Sequence, residues 1–150
     1  MGTKEMILIS HRGNIDGAHP KLENRPDYLW TARNSGYQVE TDVWYDGGWW
    51  LGHDKPQYKV PNRNLLYQCW CHAKNAEALE RMRMRGDIYN CFWQEDDDYT
   101  LTADGHIWVH CRKKLIRGCI AVLPELGFDG DLEQCAGICS DKIINYRNLL

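Results

Sequence analysis

Two acids one residue apart, Glu40 and Asp42, lie within YQVETDVWY, residues 37–45 of a 150-residue chain. Tyr37, Val39, Thr41 and Val43 alternate there with Gln38, Glu40, Asp42 and Trp44, the two-residue period of a β-strand, so both carboxylates share one face. Buried carboxylates must be paired or bind a cation, which makes this pair a candidate metal site. The alternative is the solvated face of an edge strand. His11 and Arg12 follow a short apolar run, and His53 sits in LGHD, on the far arm of the hairpin that begins after residue 45. Each residue alone has an ordinary reading, a packed histidine or a surface charge. Together, two imidazoles flanking a carboxylate pair are the parts of metal-assisted acid/base chemistry near neutral pH. Arg12 adds the planar fork that suits phosphate. His72 and Lys74, in LLYQCWCHAK, would project together from a third strand. Lys74 reads as a second phosphate contact or a solvated helix start, and His72 as a site residue or a packed ring. Glu95 opens the run Glu95-Asp96-Asp97-Asp98, a solvated loop or a reserve source of a ligand.

The elements that would position these residues alternate between strand and helix. MILIS (6–10) is the length of a buried strand, and a helix follows over NRPDYLWTARNSG, with Asn24 as its cap, Pro26 in the first turn and Gly36 as its stop. DGG predicts a hairpin turn and WWLGHD its return strand. Residues 65–74 read as a strand, and 75–86 as a helix capped by Asn75 and ended by Gly86. Further strands are expected at 88–94, in HIWVHC, at 119–125 and in AGICSD, before a terminal helix in KIINYRNLL. This alternation predicts an α/β layout with parallel pairing, in which chemistry gathers at the carboxyl ends of the strands.

Length and composition bound what the chain can do. One domain, residues 1–150, is expected from 150 residues with no repeat or linker. Seven Trp and eight Tyr against two Phe favour rings with polar tips, which suit the walls of a wet cavity as well as a core. A net charge of -3 gives no general reason to bind nucleic acid or an anionic membrane, so an anionic ligand would need local positive charge. No apolar run is long enough to cross a membrane, and a cytoplasmic protein is expected. Met6 stands where the myristoylation pattern requires Ser or Thr. Seven cysteines without paired CxxC knuckles read as reduced thiols rather than a zinc framework.

The ordered set His11-Arg12-Gly13, Glu23-Asn24, Glu40-Thr41-Asp42 and Asp46-Gly47 leading to His53-Asp54 resembles the glycerophosphodiester phosphodiesterase family, within the phospholipase-C-like phosphodiesterases. The resemblance covers residues 7–54 closely and thins afterwards, where Ser140-Asp141 looks like the end of the family's closing strand. It implies a TIM-barrel-like (β/α) barrel. At 150 residues, against about 250 for a typical barrel, either several outer helices are reduced to loops or the barrel is incomplete. Barrel wall left uncovered would be an apolar association surface, so a dimer or larger is expected.

The activity implied is divalent-metal-dependent cleavage of a small phosphodiester whose ester arm carries a neighbouring hydroxyl. Glu40 and Asp42 would be metal ligands, with His72 in the place where the family usually has Glu; Glu23 and Glu95 remain alternatives for the third ligand. Mg2+ or Ca2+ suits the carboxylates, and His72 would favour Mn2+ or Zn2+. His11 and His53 would be the catalytic acid and base, in unassigned order, with Arg12 and Lys74 binding the phosphoryl oxygens. Gly13 would let the loop turn close to the ligand, and Trp44, Trp49 and Trp50 would either wall the alcohol group or pack the hairpin. Two other readings stay open: a sphingomyelinase-D-like or phosphatidylinositol-phospholipase-like enzyme, and a non-catalytic barrel serving as a binding or assembly module.

Overall fold

A computed structural model describes residues 5–85 and 89–148. The strands are β1 (Ile7–His11), β2 (Gln38–Tyr45), β3 (Trp49–Leu51), β4 (Tyr58–Lys59), β5 (Cys69–Ala73), β6 (Asn90–Phe92), β7 (Tyr99–Leu101), β8 (Ile107–Val109), β9 (Ile120–Val122) and β10 (Gly137–Ser140). The helices are α1 (Pro26–Asn34), α2 (Ala76–Met84) and the one-turn α3 (Ile144–Arg147).

Parallel ladders run in the order β6, β5, β2, β1, β10, β9, β8, so the first strand lies between the second and the last. Antiparallel additions are β7 beside β8, and the hairpin strands β3 and β4 beyond β2. The sheet curls. Although β6 and β8 stand at opposite ends of the parallel order, Trp108 of β8 packs on Phe92 of β6 with ring centroids 4.6 Å apart, and on Trp70 of β5 at 5.7 Å. Cys91 O accepts from Ala103 N at 2.9 Å where those ends meet. No β-ladder joins β6 to β7 or β8 among the described residues. The architecture is thus a mixed α/β fold around a curled, half-barrel sheet with few helices.

The core is split by the pleat of the strands. Ile9, Trp70, Phe92, Trp108, Ile120 and Cys139 fill the concave face, and Trp70 Nε1 finds its acceptor in Gln38 Oε1 at 2.8 Å. On the convex face, Val39, Val43 and Cys71 pack under Leu29 and Ala32 of α1 and Ala78 and Met82 of α2. Elsewhere that face is covered by loops and α3, which contribute Leu115, Ile116, Leu132 and Ile143. Helices predicted at both sites therefore form, and the short chain covers the remaining wall with irregular structure.

Three local expectations are revised. Asn24 does not cap α1: the cap position is Arg25, which makes no side-chain bond, and Asn24 adopts a left-handed φ of 67°. The expected strand over 65–74 is strand only from Cys69, because Arg63–Gln68 forms a 3-10 helix that buries Leu65 and Leu66. The acidic stretch after residue 94 contains a further strand, β7, hairpinned onto β8. Asn75 caps α2 as expected, accepting from Ala78 N at 3.1 Å; its expected terminator Gly86, and Ile88 of the next expected strand, lie outside the described residues. All seven cysteines are free thiols.

Candidate metal centre and cavity

Strand register assembles the site. His11 pairs across the ladder with Glu40, and Asp42 with His72, so the carboxyl ends of β1, β2 and β5 present these side chains side by side on the concave face. Ser10 pairs with Ser140, which brings Asp141 beside His11 one residue further on. Glu40 is 2% and Asp42 0% exposed, and β2 is flanked by β1 and β5, which excludes the solvated-edge reading.

Ligand atoms of Glu40, Asp42 and His72 all lie within 4.8 Å of one another, a set that could hold a metal ion. His72 Nε2 donates to Gln94 O at 2.9 Å, and its ring stacks on Phe92 with centroids 5.1 Å apart and planes 11° apart. Since a carbonyl can only accept, Nε2 carries the proton, and the other nitrogen, Nδ1, faces Asp42 Oδ1 at 3.0 Å. Asp42 Oδ2 is occupied by Asn24 Nδ2 at 2.9 Å, whereas Asp42 Oδ1 is buried with only His72 Nδ1 beside it and Glu40 Oε2 is buried with only His11 Nε2 near it, at 3.6 Å. Free oxygens facing an imidazole nitrogen fit the donor set of a divalent cation. Glu23 is not part of this cluster; it accepts from Asn14 Nδ2 at 3.1 Å and faces Arg12 Nη1 at 3.9 Å. Glu95 lines the cavity but is likewise outside the cluster.

The loop after β1 is shaped for this arrangement. Arg12 turns out of the strand at φ 58°, with its N bonded to Glu40 O, and lays Nε 3.1 Å from Asp42 Oδ2. Asn24 crosses beneath: its Oδ1 accepts from Thr41 Oγ1 at 2.7 Å and from Asp42 N at 3.0 Å. Gly13 has φ 92°, and a Cβ there would stand 2.5 Å from the Tyr28 ring, so the close approach that requires glycine is to Tyr28.

The electrostatics follow from crowding charge out of water. Burial raises the Glu40 carboxyl and so does Asp42 beside it, against the lowering influence of His11 and Arg12. Burial also acts to raise Asp42, but His72, Arg12 and Asn24 outweigh it and hold this carboxyl well below the usual carboxylate range. Burial lowers the His11 imidazole, yet Glu40 and the Asp141 hydrogen bond prevail and its pKa is raised. Asp141 Oδ1 accepts from His11 Nδ1 at 2.7 Å and from Asn14 Nδ2 at 2.9 Å, leaving His11 Nε2 turned to the site, 3.6 Å from Glu40 Oε2. Glu125 in turn accepts from Asp141 N at 3.0 Å and Ser140 Oγ at 2.8 Å.

One cavity of about 340 Å³ is bordered by His11, Arg12, Glu40, His53, His72 and Lys74. Asp42 lies beneath it, fully buried. His53 is half-exposed, with Nδ1 2.7 Å from Asp54 Oδ1. Lys74 makes no salt bridge among the described residues. Trp44, Trp49 and Trp50 pack the hairpin and do not border the cavity: Trp44 Nε1 donates to Gly52 O, Trp50 Nε1 to Asp46 O, and Trp49 lies against Tyr45 and Tyr89. The apolar wall comes from Phe92, Trp108, Val122 and Leu123.

Residue reasoning missed Asp141, Asn14 and Glu125 as supports of the site and Gln94 as the partner of His72. Asp141 was visible as the end of a strand, but nothing local says which strand lies beside β1. No family model, no curated protein and no solved structure matches this chain significantly.

Proposed function

We propose that this protein is a divalent-metal-dependent phosphodiester hydrolase acting on glycerophosphodiester-like substrates, on a shortened TIM-type barrel. The observation that carries the reading is the grouping of the buried Glu40 and Asp42 carboxyls with His72 Nδ1 within 4.8 Å, beside a cavity bordered by His11, Arg12, His53 and Lys74. An assembly module would have no use for two carboxyl groups buried side by side in its interior, which are costly unless compensated. The motif resemblance over residues 7–54 supports the substrate class, and the placing of the last strand beside the first supports the barrel.

Glu40, Asp42 and His72 would hold the ion, which when bound supplies Lewis-acid polarisation of a phosphoryl oxygen and a lowered hydroxyl pKa. Arg12 and Lys74 bind the phosphoryl oxygens and offset the charge that grows on them. His11 and His53 divide the proton transfers: one takes the proton of the neighbouring hydroxyl as its oxygen attacks phosphorus, and the other protonates the departing alcohol as the P–O bond breaks. Water then opens the resulting cyclic phosphate with the two roles exchanged. Asp141 holds His11 in the tautomer with Nε2 toward the cavity, the geometry such a step needs.

The test is hydrolysis of bis(p-nitrophenyl) phosphate and glycerophosphocholine by the purified protein, with and without EDTA. Turnover abolished by the chelator and restored by a divalent ion is expected. Silence on both substrates with several ions would leave the binding-module reading.

A further inference from the structure

We propose that the centre formed by Glu40, Asp42 and His72 selects a first-row transition ion, Zn2+, Co2+ or Mn2+, over Mg2+ and Ca2+, and that His72 Nδ1 is the selecting ligand. This rests on the metal-centre reading above but not on any hydrolytic activity.

The tautomer and orientation of His72 are fixed by two contacts that do not involve the acids. The Nε2 proton is committed to Gln94 O at 2.9 Å, and the ring lies flat on Phe92. A backbone carbonyl that holds one imidazole nitrogen as a donor and aims the other at the metal is the usual outer support of a histidine ligand. The carboxylates are constrained as well. Asp42 Oδ2 is taken by Asn24, which leaves Asp42 Oδ1 for an ion, and Glu40 Oε2 is buried without a hydrogen bond. From Glu40, Asp42 and His72 the protein therefore offers one nitrogen and two carboxylates inside a tight, buried cluster.

That donor set discriminates between ions. Ca2+ takes about six to eight oxygens in a flexible shell, and Mg2+ keeps to an octahedron of oxygens. An imidazole nitrogen in place of a third carboxylate removes one anionic oxygen, which weakens both. Transition ions gain from the nitrogen, with affinity rising from Mn2+ through Co2+. The competing account of the 3.0 Å contact is a second proton on His72, making the ring a charged partner of Asp42 with no metal role.

Calorimetric titration of the metal-stripped 150-residue chain with Zn2+, Co2+, Mn2+, Mg2+ and Ca2+, in wild type and His72→Glu, tests this. Wild type is expected to bind Co2+ and Mn2+ at least about tenfold more tightly than Mg2+ or Ca2+, and His72→Glu to shrink that ratio by about tenfold or more. In wild type loaded with Zn2+, the 15N resonance of His72 Nδ1 should shift while Nε2 keeps its proton; this arm decides the question if the variant does not fold. Equal affinities across the ions, an unchanged ratio in His72→Glu, or Nδ1 still protonated with Zn2+ present would overturn the proposal. So would Co2+ absorption dominated by thiolate charge transfer and retained in His72→Glu, since that places the ion on cysteines. Failure here with EDTA-sensitive hydrolysis intact leaves the phosphodiesterase reading standing; binding as expected with no hydrolysis leaves the ion selectivity standing alone.

Discussion

At the scale of single residues, the proposed hydrolysis depends on two histidines. His11→Ala and His53→Ala should each lower turnover by about 100-fold or more, the usual worth of a general acid or base. Steady-state rates on bis(p-nitrophenyl) phosphate measure it, and a folded variant keeping full metal-dependent activity would remove that residue from the mechanism. Asp141→Asn keeps a hydrogen-bond acceptor for His11 but removes the charge, so the His11 pKa should fall and turnover drop by roughly 10- to 100-fold, as for other orienting partners. An NMR titration of His11 reads the first effect without substrate. In the metal-free protein the sign of the pH dependence follows. The His11 pKa is raised on folding, so its contribution is fully present below about pH 6.5 and lost as pH rises through the folded value. Glu40, raised by burial and by Asp42, acts in the same direction: its folded form resists ionisation, so stability also falls as pH climbs past its unfolded value of about 4.3. Urea midpoints of the metal-free protein should therefore fall between about pH 6 and pH 8, and a bound divalent ion should reduce the loss. A midpoint that rises over that range contradicts the assignment.

At the scale of elements, one side chain ties the loop before α1 to the centre of β2. Asn24 sits where a helix cap is expected, yet it bonds Thr41, Asp42 N and Asp42 Oδ2 together. Asn24→Ala should cost roughly 1–3 kcal/mol for each buried group it leaves unpaired, far more than the loss of an exposed cap. Denaturant unfolding gives the value, and a change below about 0.5 kcal/mol, the usual size for surface substitutions, would show that water replaces the amide. Gly137 makes a second point about packing. It lies on β10 between β1 and β9, where an added Cβ would stand 2.7 Å from Ile7 O and 2.8 Å from Ile7 Cβ. Gly137→Ala should destabilise by about 1–3 kcal/mol through overpacking, and should disturb the neighbouring Asp141 support of His11. Both elements were legible as elements in the sequence. That their residues brace the acids was not, because hydrogen bonds spanning 17 or more positions leave no local pattern.

At the scale of the whole molecule, a chain of this length curls a sheet but covers it with few helices. Trp93, Tyr99 and Leu101 remain exposed around the region where β6 and β7 approach, and a dimer or larger is the expected state. Light scattering at micromolar concentration checks this, and a monomer would count against it. No helix among the described residues is long and apolar enough to cross a membrane.

The sequence by itself determined the local terms of this protein. Alternation in residues 37–45 put Glu40 and Asp42 on one face, and the apolar runs and Asn75 marked strands and a helix that form. Tertiary structure alone decided what those residues meet. Parallel register set Asp42 against His72 and His11 against Glu40, strand order brought Asp141 to His11, and curling of the sheet turned one face into a cavity. The three hairpin tryptophans show the limit in the other direction: their aromatic character was plain, but only packing decided that Phe92 and Trp108 border the cavity instead. Periodicity is carried by neighbours a few residues apart and is written in the sequence. Register, strand order and free lone pairs depend on contacts between distant segments, and they exist only once the chain has folded.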